Sequence, residues 1–138
     1  MPVQCVFENL YPRRLKIEIQ RQAEDCDFQE QIAFSRFSTK QVVFRAHTLN
    51  QTMKNKIDAF LDRGEIRDGF DIEFLLRRGI EFPALTGSQY KVFQKKLARF
   101  KDRDFKVMLG SILEGDIREY YISQRFTYLS EKLSDAAG

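Results

Sequence analysis

Lys56, Arg63, Arg67, Asp68 and Asp71 stand close together in the sequence, and their types and spacing suit one of two tasks. Basic side chains gathered around carboxylates can form an ion-pair network that holds two helices together. They can also stabilise the charge of a phosphoryl group, with a carboxylate placed to orient them or to accept a proton. Lys56 and Arg63 are seven residues apart, so on a helix they lie almost above one another. Arg67 lies one turn before Asp71. On a helical wheel Asp71 falls between Phe74 and Leu75, an apolar setting in which an ionised carboxylate has to be paired. Arg67 is the expected partner along the helix, with Lys56 or Arg63 across a corner.

The stretch that positions these groups runs from Thr48 to Gly79. Leu49, Met53, Ile57, Phe60 and Leu61 recur at helical spacing. Thr48 suits the N-cap of that helix. Arg63 and Gly64 mark a tight corner, and Phe70, Ile72, Phe74, Leu75 and Leu76 then make a second helix apolar nearly all round, hence mostly buried.

This stretch resembles the C-terminal motif of the AbiEii/AbiGii nucleotidyltransferase toxins. The resemblance rests on the Thr48-Leu49 start, Lys56, Ala59, Arg63, and Arg67-Asp68-x-x-Asp71 followed by an apolar run. It extends to the VVFRA segment before Thr48. The resemblance implies that Lys56, Arg63 and Arg67 contact a nucleoside triphosphate. It gives Asp71 the role of orienting those groups or of acting as base toward an acceptor hydroxyl, and Asp68 that of capping or orienting the cluster. It also implies a strand carboxylate that helps hold Mg2+, for which Glu18 is the match. Magnesium takes hard oxygen ligands and neutralises transferring phosphates. Glu18 is equally readable as the solvent-facing residue of an amphipathic strand.

The family's Gly-Ser turn, followed by a strand with two acidic residues one apart, is missing. Gly87-Ser88 with Asp102-Arg103-Asp104 is a decoy, because the residues between them have helical period and follow the Lys–Arg–Asp motif rather than precede it. The chain therefore resembles the C-terminal half of such a protein. It is expected to be inactive alone, with Mg2+ and a triphosphate bound only once a missing half completes the site. The expected partners are that N-terminal half or a cognate antitoxin, and an RNA acceptor.

Composition allows this and does not demand it. The 138 residues carry a net charge of +3 and 43% apolar residues, with thirteen Phe and no Trp, enough for one sizeable core. Cys5 and Cys26 suggest neither a zinc site nor a disulfide framework. No long apolar run or signal peptide is present, so a cytoplasmic protein without membrane attachment is expected.

Period-two signals precede Thr48. Val3 to Glu8 suits a short strand. Arg14 to Gln20 alternates cleanly, Gln22 to Gln31 reads as loop, and strands at Ile32 to Phe37 and Gln41 to Ala46 flank a Ser38-Thr39-Lys40 turn. His47 reads as a loop residue. Beyond Gly79 the period is helical. Ser88 to Lys101 forms an apolar stripe of Tyr90, Phe93, Leu97 and Phe100 opposite a basic face of Lys91, Lys95, Lys96, Arg99 and Lys101. A short helix from Arg103 to Leu113 and a long one from Asp116 to Leu133 follow. The fold class is thus α+β: a β-rich part, residues 1–47, resembling the end of a nucleotidyltransferase sheet, then a helical lobe, residues 48–138. Two other functions fit the same residues: a non-enzymatic protein-interaction module whose strands complete a partner's sheet, and a small RNA-binding domain using the basic face.

Overall fold

The computed structural model describes residue 17 and residues 25–137. The strand expected at Val3 to Glu8, the one at Arg14 to Gln20 apart from Ile17, and Glu18 itself lie outside the described residues. Among those described, two antiparallel strands, β1 (Phe28–Ser35) and β2 (Ser38–His47), precede five α-helices and a short π-helical segment. The period switch at His47-Thr48 is therefore a real boundary between strand and helix.

The hairpin differs from expectation in three places, one being His47, which ends β2 paired with Phe28 rather than lying in a loop. Phe28 to Gln31 is strand rather than loop, paired with Phe44 to His47. The Phe28 and His47 rings lie 4.8 Å apart and Glu30 faces Arg45. Polar residues are tolerated here because the strand is exposed on both faces. The turn is Arg36-Phe37, not Ser38-Thr39-Lys40. Ser35 pairs with Ser38, leaving a two-residue connection of the kind hairpins favour. The hydroxyls of Ser35 and Ser38 accept from the backbone N–H of Phe37 and Lys40 at 3.2 Å, so the serines flank the tip.

The helices are α1 (Leu49–Asp62), α2 (Ile66–Arg77), α3 (Gly87–Ala98), the π-helical segment Asp104–Leu109, α4 (Gly115–Gln124) and α5 (Thr127–Ala137). Thr48 caps α1 as its position suggests, accepting from the N–H of Gln51 at 3.1 Å. The hairpin is tied to this cap: the Thr48 N–H donates to the Asp27 carbonyl at 3.0 Å and the Asp27 N–H to Gln51 Oε1 at 3.2 Å. Thr86 and Gln89 form a reciprocal capping box at the start of α3. The Gly87-Ser88 decoy thus opens a helix.

Met53, Ile57 and Phe60 of α1 pack on Ile66, Ile72, Leu75 and Leu76 of α2, and Phe93, Phe105, Leu109, Leu129 and Leu133 complete the core. The expected long helix from Asp116 to Leu133 is in fact two. Arg125 breaks it with φ of 53°, and Phe126 turns inward to 5% exposure. Burying that ring among Phe100, Phe105 and Tyr121, at centroid distances of 5.8, 5.1 and 5.9 Å, outweighs continuing the helix. Arg125 is anchored by an ion pair with Asp102.

Gly69 on α2 is the point of closest approach to this cluster. A Cβ there would meet the Phe126 ring at 3.0 Å. Alanine in place of a mid-helix glycine gains about 1 kcal/mol, whereas overpacking a fixed ring costs about 1–3 kcal/mol. Gly69→Ala is therefore expected to lower stability by about 1 kcal/mol in urea unfolding. An unchanged or raised midpoint would show that the Phe126 ring is free to yield.

Candidate functional site

The α1–α2 corner brings the charged groups together. Gly64 takes a left-handed φ of 67°, which permits the reversal after α1. The turn sets Arg63 against the first turn of α2. Its guanidinium grips Asp68 with two parallel bonds, Nε to Oδ2 and Nη2 to Oδ1, both 2.8 Å. The Asp68 side chain is 1% exposed and that of Arg63 52%. The hydrogen bond to Asp68, then the charge of that carboxylate, holds the Arg63 pKa above its ordinary value. Lys56 reaches over from α1, 2.6 Å from Asp71 Oδ2 and 3.8 Å from Asp68 Oδ1.

Asp71 does not take the buried position expected from the helical wheel. Asp71 is paired, and with Lys56, but its side chain is 40% exposed; the buried acid is Asp68. The reason is that Phe74 beside Asp71 is itself 48% exposed, so that side of α2 is not covered. Arg67 is not the partner of Asp71. It is exposed, makes no ion pair among the described residues, and instead lines a cavity of about 550 Å³ with Arg63, Glu65, Lys96 and Arg99. Lys96 lies against Gly64 and its Nζ donates to the Asp62 carbonyl at 2.7 Å, a cation at the C-terminal end of α1.

A second polar centre has no counterpart in the sequence reading. Glu73, fully buried on α2, accepts on Oε1 from Arg77 Nη2 at 3.0 Å, Arg77 Nε at 3.1 Å and the Tyr121 hydroxyl at 3.0 Å. Its Oε2 has no protein donor. The Glu73 and Arg77 spacing of four residues was the one available signal, but Tyr121 is 48 residues away from Glu73. Burial opposes the charge on Arg77, yet the bond to Glu73 and the charge of that carboxylate, with smaller contributions from Tyr120 and Tyr121, together outweigh it and the Arg77 pKa rises. Burial, then the Glu73 carboxylate, raises that of Tyr121.

Magnesium needs several free anionic oxygens. Among the described residues no three metal-ligating side chains converge. Asp68 is held by Arg63 and Asp71 by Lys56, so these carboxylates do not fit a metal site by themselves. The Asp102 and Asp104 pair does not supply one either: Asp102 is bound to Arg125, and Asp104 accepts from the Lys101 N–H at 2.7 Å.

Residues 2–135 match the family described as "Nucleotidyl transferase AbiEii toxin, Type IV TA system". The chain belongs to this family. The match to the AbiEii family reaches well beyond the corner motif, over the hairpin and the helical lobe alike. No curated protein and no solved structure matches the chain. No helix among the described residues is long and apolar enough to cross a membrane.

The geometry separates the structural and available charges. Removing Arg63 strands a buried carboxylate, which typically costs about 3–5 kcal/mol. Removing Lys56 leaves Asp68 with both Arg63 bonds and Asp71 in contact with water. Arg63→Ala is expected to destabilise the fold by about 3 kcal/mol in urea, and Lys56→Ala by under about 1 kcal/mol; equal losses would contradict this division. Tyr121 supplies a pH test. A raised pKa means that the unfolded chain releases this proton first. The stability it contributes is whole below about pH 10 and is lost as pH rises toward the folded-state pKa. Tyr121→Phe should flatten the alkaline fall in stability, by up to about 1.4 kcal/mol per pH unit. An unaltered slope above pH 10 would rule out that coupling.

Proposed function

We propose that the chain supplies the basic, C-terminal side of a nucleotidyltransferase toxin active site and that another polypeptide segment supplies the metal-binding side. The observation that carries this reading is the corner cluster. Lys56 and Arg67 are cations that the fold does not need to neutralise Asp68, since Arg63 already does so on both oxygens. Arg67, which makes no ion pair among the described residues, and Lys56, whose partner Asp71 is half-exposed, suit a triphosphate and its departing charge.

The roles divide accordingly. Lys56, Arg63 and Arg67 contact the triphosphate. Asp68, buried under Arg63, orients that guanidinium. Asp71 faces water and can accept the proton of an attacking acceptor hydroxyl. In the transfer, that hydroxyl oxygen bonds to the α-phosphorus, the bond from this phosphorus to the bridging oxygen breaks, and pyrophosphate leaves. Mg2+ would neutralise the phosphates, with Glu18 and carboxylates outside this chain as its ligands. The sequence holds no Gly-Ser turn followed by an Asp-x-Asp strand, so these residues are expected to be inactive alone. The setting would be cytoplasmic, the acceptor an RNA, and the family's type IV toxin–antitoxin role would supply a cognate antitoxin.

A second reading, a protein-interaction module, is favoured by the hairpin. Phe34, Phe37, Val42 and Val43 are 60–84% exposed, on both faces and at the tip. On the enzymatic reading the same residues receive the missing half, with 1–47 as the sheet's end and 48–138 as the helical lobe.

The test is complementation. The chain is mixed with the N-terminal half of a family nucleotidyltransferase carrying the Gly-Ser and Asp-x-Asp motifs, Mg2+, α-labelled nucleoside triphosphates and total RNA. Label should enter RNA only in the mixture, and Lys56→Ala should reduce the rate at least a hundredfold, removing about 2.7 kcal/mol of transition-state stabilisation. A complemented Lys56→Ala protein that transfers normally would leave the corner as a structural ion-pair network.

A further inference from the structure

Helix α3 carries a row of charges that the fold itself does not use. Between Phe82 and Lys101 the sequence holds Lys91, Lys95, Lys96, Arg99 and Lys101 and no acidic residue. Lys91, Lys95 and Arg99 follow one another at four-residue spacing, so on the α3 surface they form one row. All three are exposed, and among the described residues none makes an ion pair. Like charges four apart weaken a helix. No ion pair among the described residues offsets that cost, whereas an anionic partner would.

The row leads somewhere. At its C-terminal end Arg99 and Lys96 form part of the lining of the 550 Å³ cavity, together with Arg63 and Arg67. At its N-terminal end Lys91 and Lys95 border a second hollow, which shares Phe100 with the first. Carboxylates border both hollows, Glu131 and Asp135 the second and Glu65 and Asp104 the first, but the cations outnumber them, and the row leads as a basic track along α3 to the α1–α2 corner, where Arg63 covers Asp68.

We infer that this track holds the acceptor strand: a single-stranded RNA whose backbone phosphates lie along Lys91, Lys95 and Arg99 and whose terminal nucleotide enters the corner cavity. This rests on the reading of the chain as part of a nucleotidyltransferase. Four helical residues rise about 6 Å, the order of the step between successive phosphates of an extended strand. A cavity of a few hundred Å³ takes a small molecule or a nucleotide; a duplex does not fit it. A basic row with no base-reading side chains positions the backbone without selecting sequence. An acidic protein would need no such cavity at the end of the row.

The experiment measures binding of the 138-residue chain to a fluorescent single-stranded RNA oligonucleotide by anisotropy, from 50 to 300 mM salt. The comparison is the Lys91→Ala/Lys95→Ala/Arg99→Ala triple variant, with Lys54→Ala as a control cation on α1. Alanine is a strong helix former and all three sites are exposed, so the variant keeps its fold, which circular dichroism and urea unfolding check. The triple variant should lose at least tenfold in affinity at 50 mM salt. Its log–log salt slope should fall by about 2, three phosphate contacts at about 0.7 each. Lys54→Ala should match the unaltered chain. An unaltered chain that fails to bind RNA, a triple variant with an unchanged slope, or a row needed only for an acidic antitoxin would each overturn the assignment. The complementation assay separates this failure from that of the parent reading. Transfer with an unchanged KM for RNA in the triple variant sinks the track and spares the transferase. RNA binding through the row without any transfer sinks the transferase and spares the track.

Discussion

The bidentate pair between Arg63 and Asp68 is the constraint on which the corner depends. A carboxylate 1% exposed at the start of α2 survives only because a guanidinium matches both of its oxygens. Asp68 also sits in the first turn of its helix, where a negative charge is favoured. The pair fixes the angle between α1 and α2 and holds Gly64 in its left-handed turn. It also decides which partners are left for the other charges nearby. With Asp68 satisfied, Lys56 is left to Asp71, and Arg67 is left to the cavity.

Much of this was legible in the sequence, and the exceptions have physical causes. Thr48 as cap, the reversal at Arg63-Gly64 and the Met53, Ile57 and Phe60 face follow from local chemistry and helical spacing. The exposure of Asp71 and the burial of Asp68 did not, because a wheel gives angles around one helix and says nothing of what covers each side. Asp71 is adjacent to apolar residues in projection, but Phe74 stays in water. The break at Arg125 was hidden for a similar reason. No glycine or proline marks it, and only the aromatic cluster around Phe126 demands it. The Glu73, Arg77 and Tyr121 centre joins distant segments, which no local pattern reveals. The hairpin turn moved by two residues because Ser35 and Ser38 act on the backbone rather than forming the tip.

The hairpin and the helical lobe meet different requirements. The lobe closes around its own aromatic core, from Phe82 through Phe93 and Phe60 to Phe100 and Phe126. Among the described residues the hairpin buries almost nothing, and it is joined to the lobe through the Thr48 cap and Gln51. A two-stranded ribbon with apolar groups on both faces has little stability of its own. On the proposed reading, a missing half extends such a ribbon into a larger sheet.

Glu73 bears on how many ways α2 can pack. Apolar helices can often slide by a turn and find another acceptable fit. A buried carboxylate removes that freedom, since any arrangement that separates it from Arg77 and the Tyr121 hydroxyl leaves a charge unsolvated. The core of the lobe therefore has one register along α2. The rotation of that helix, which places Asp68, Asp71 and Arg67 on their respective sides, is fixed from the end opposite the corner.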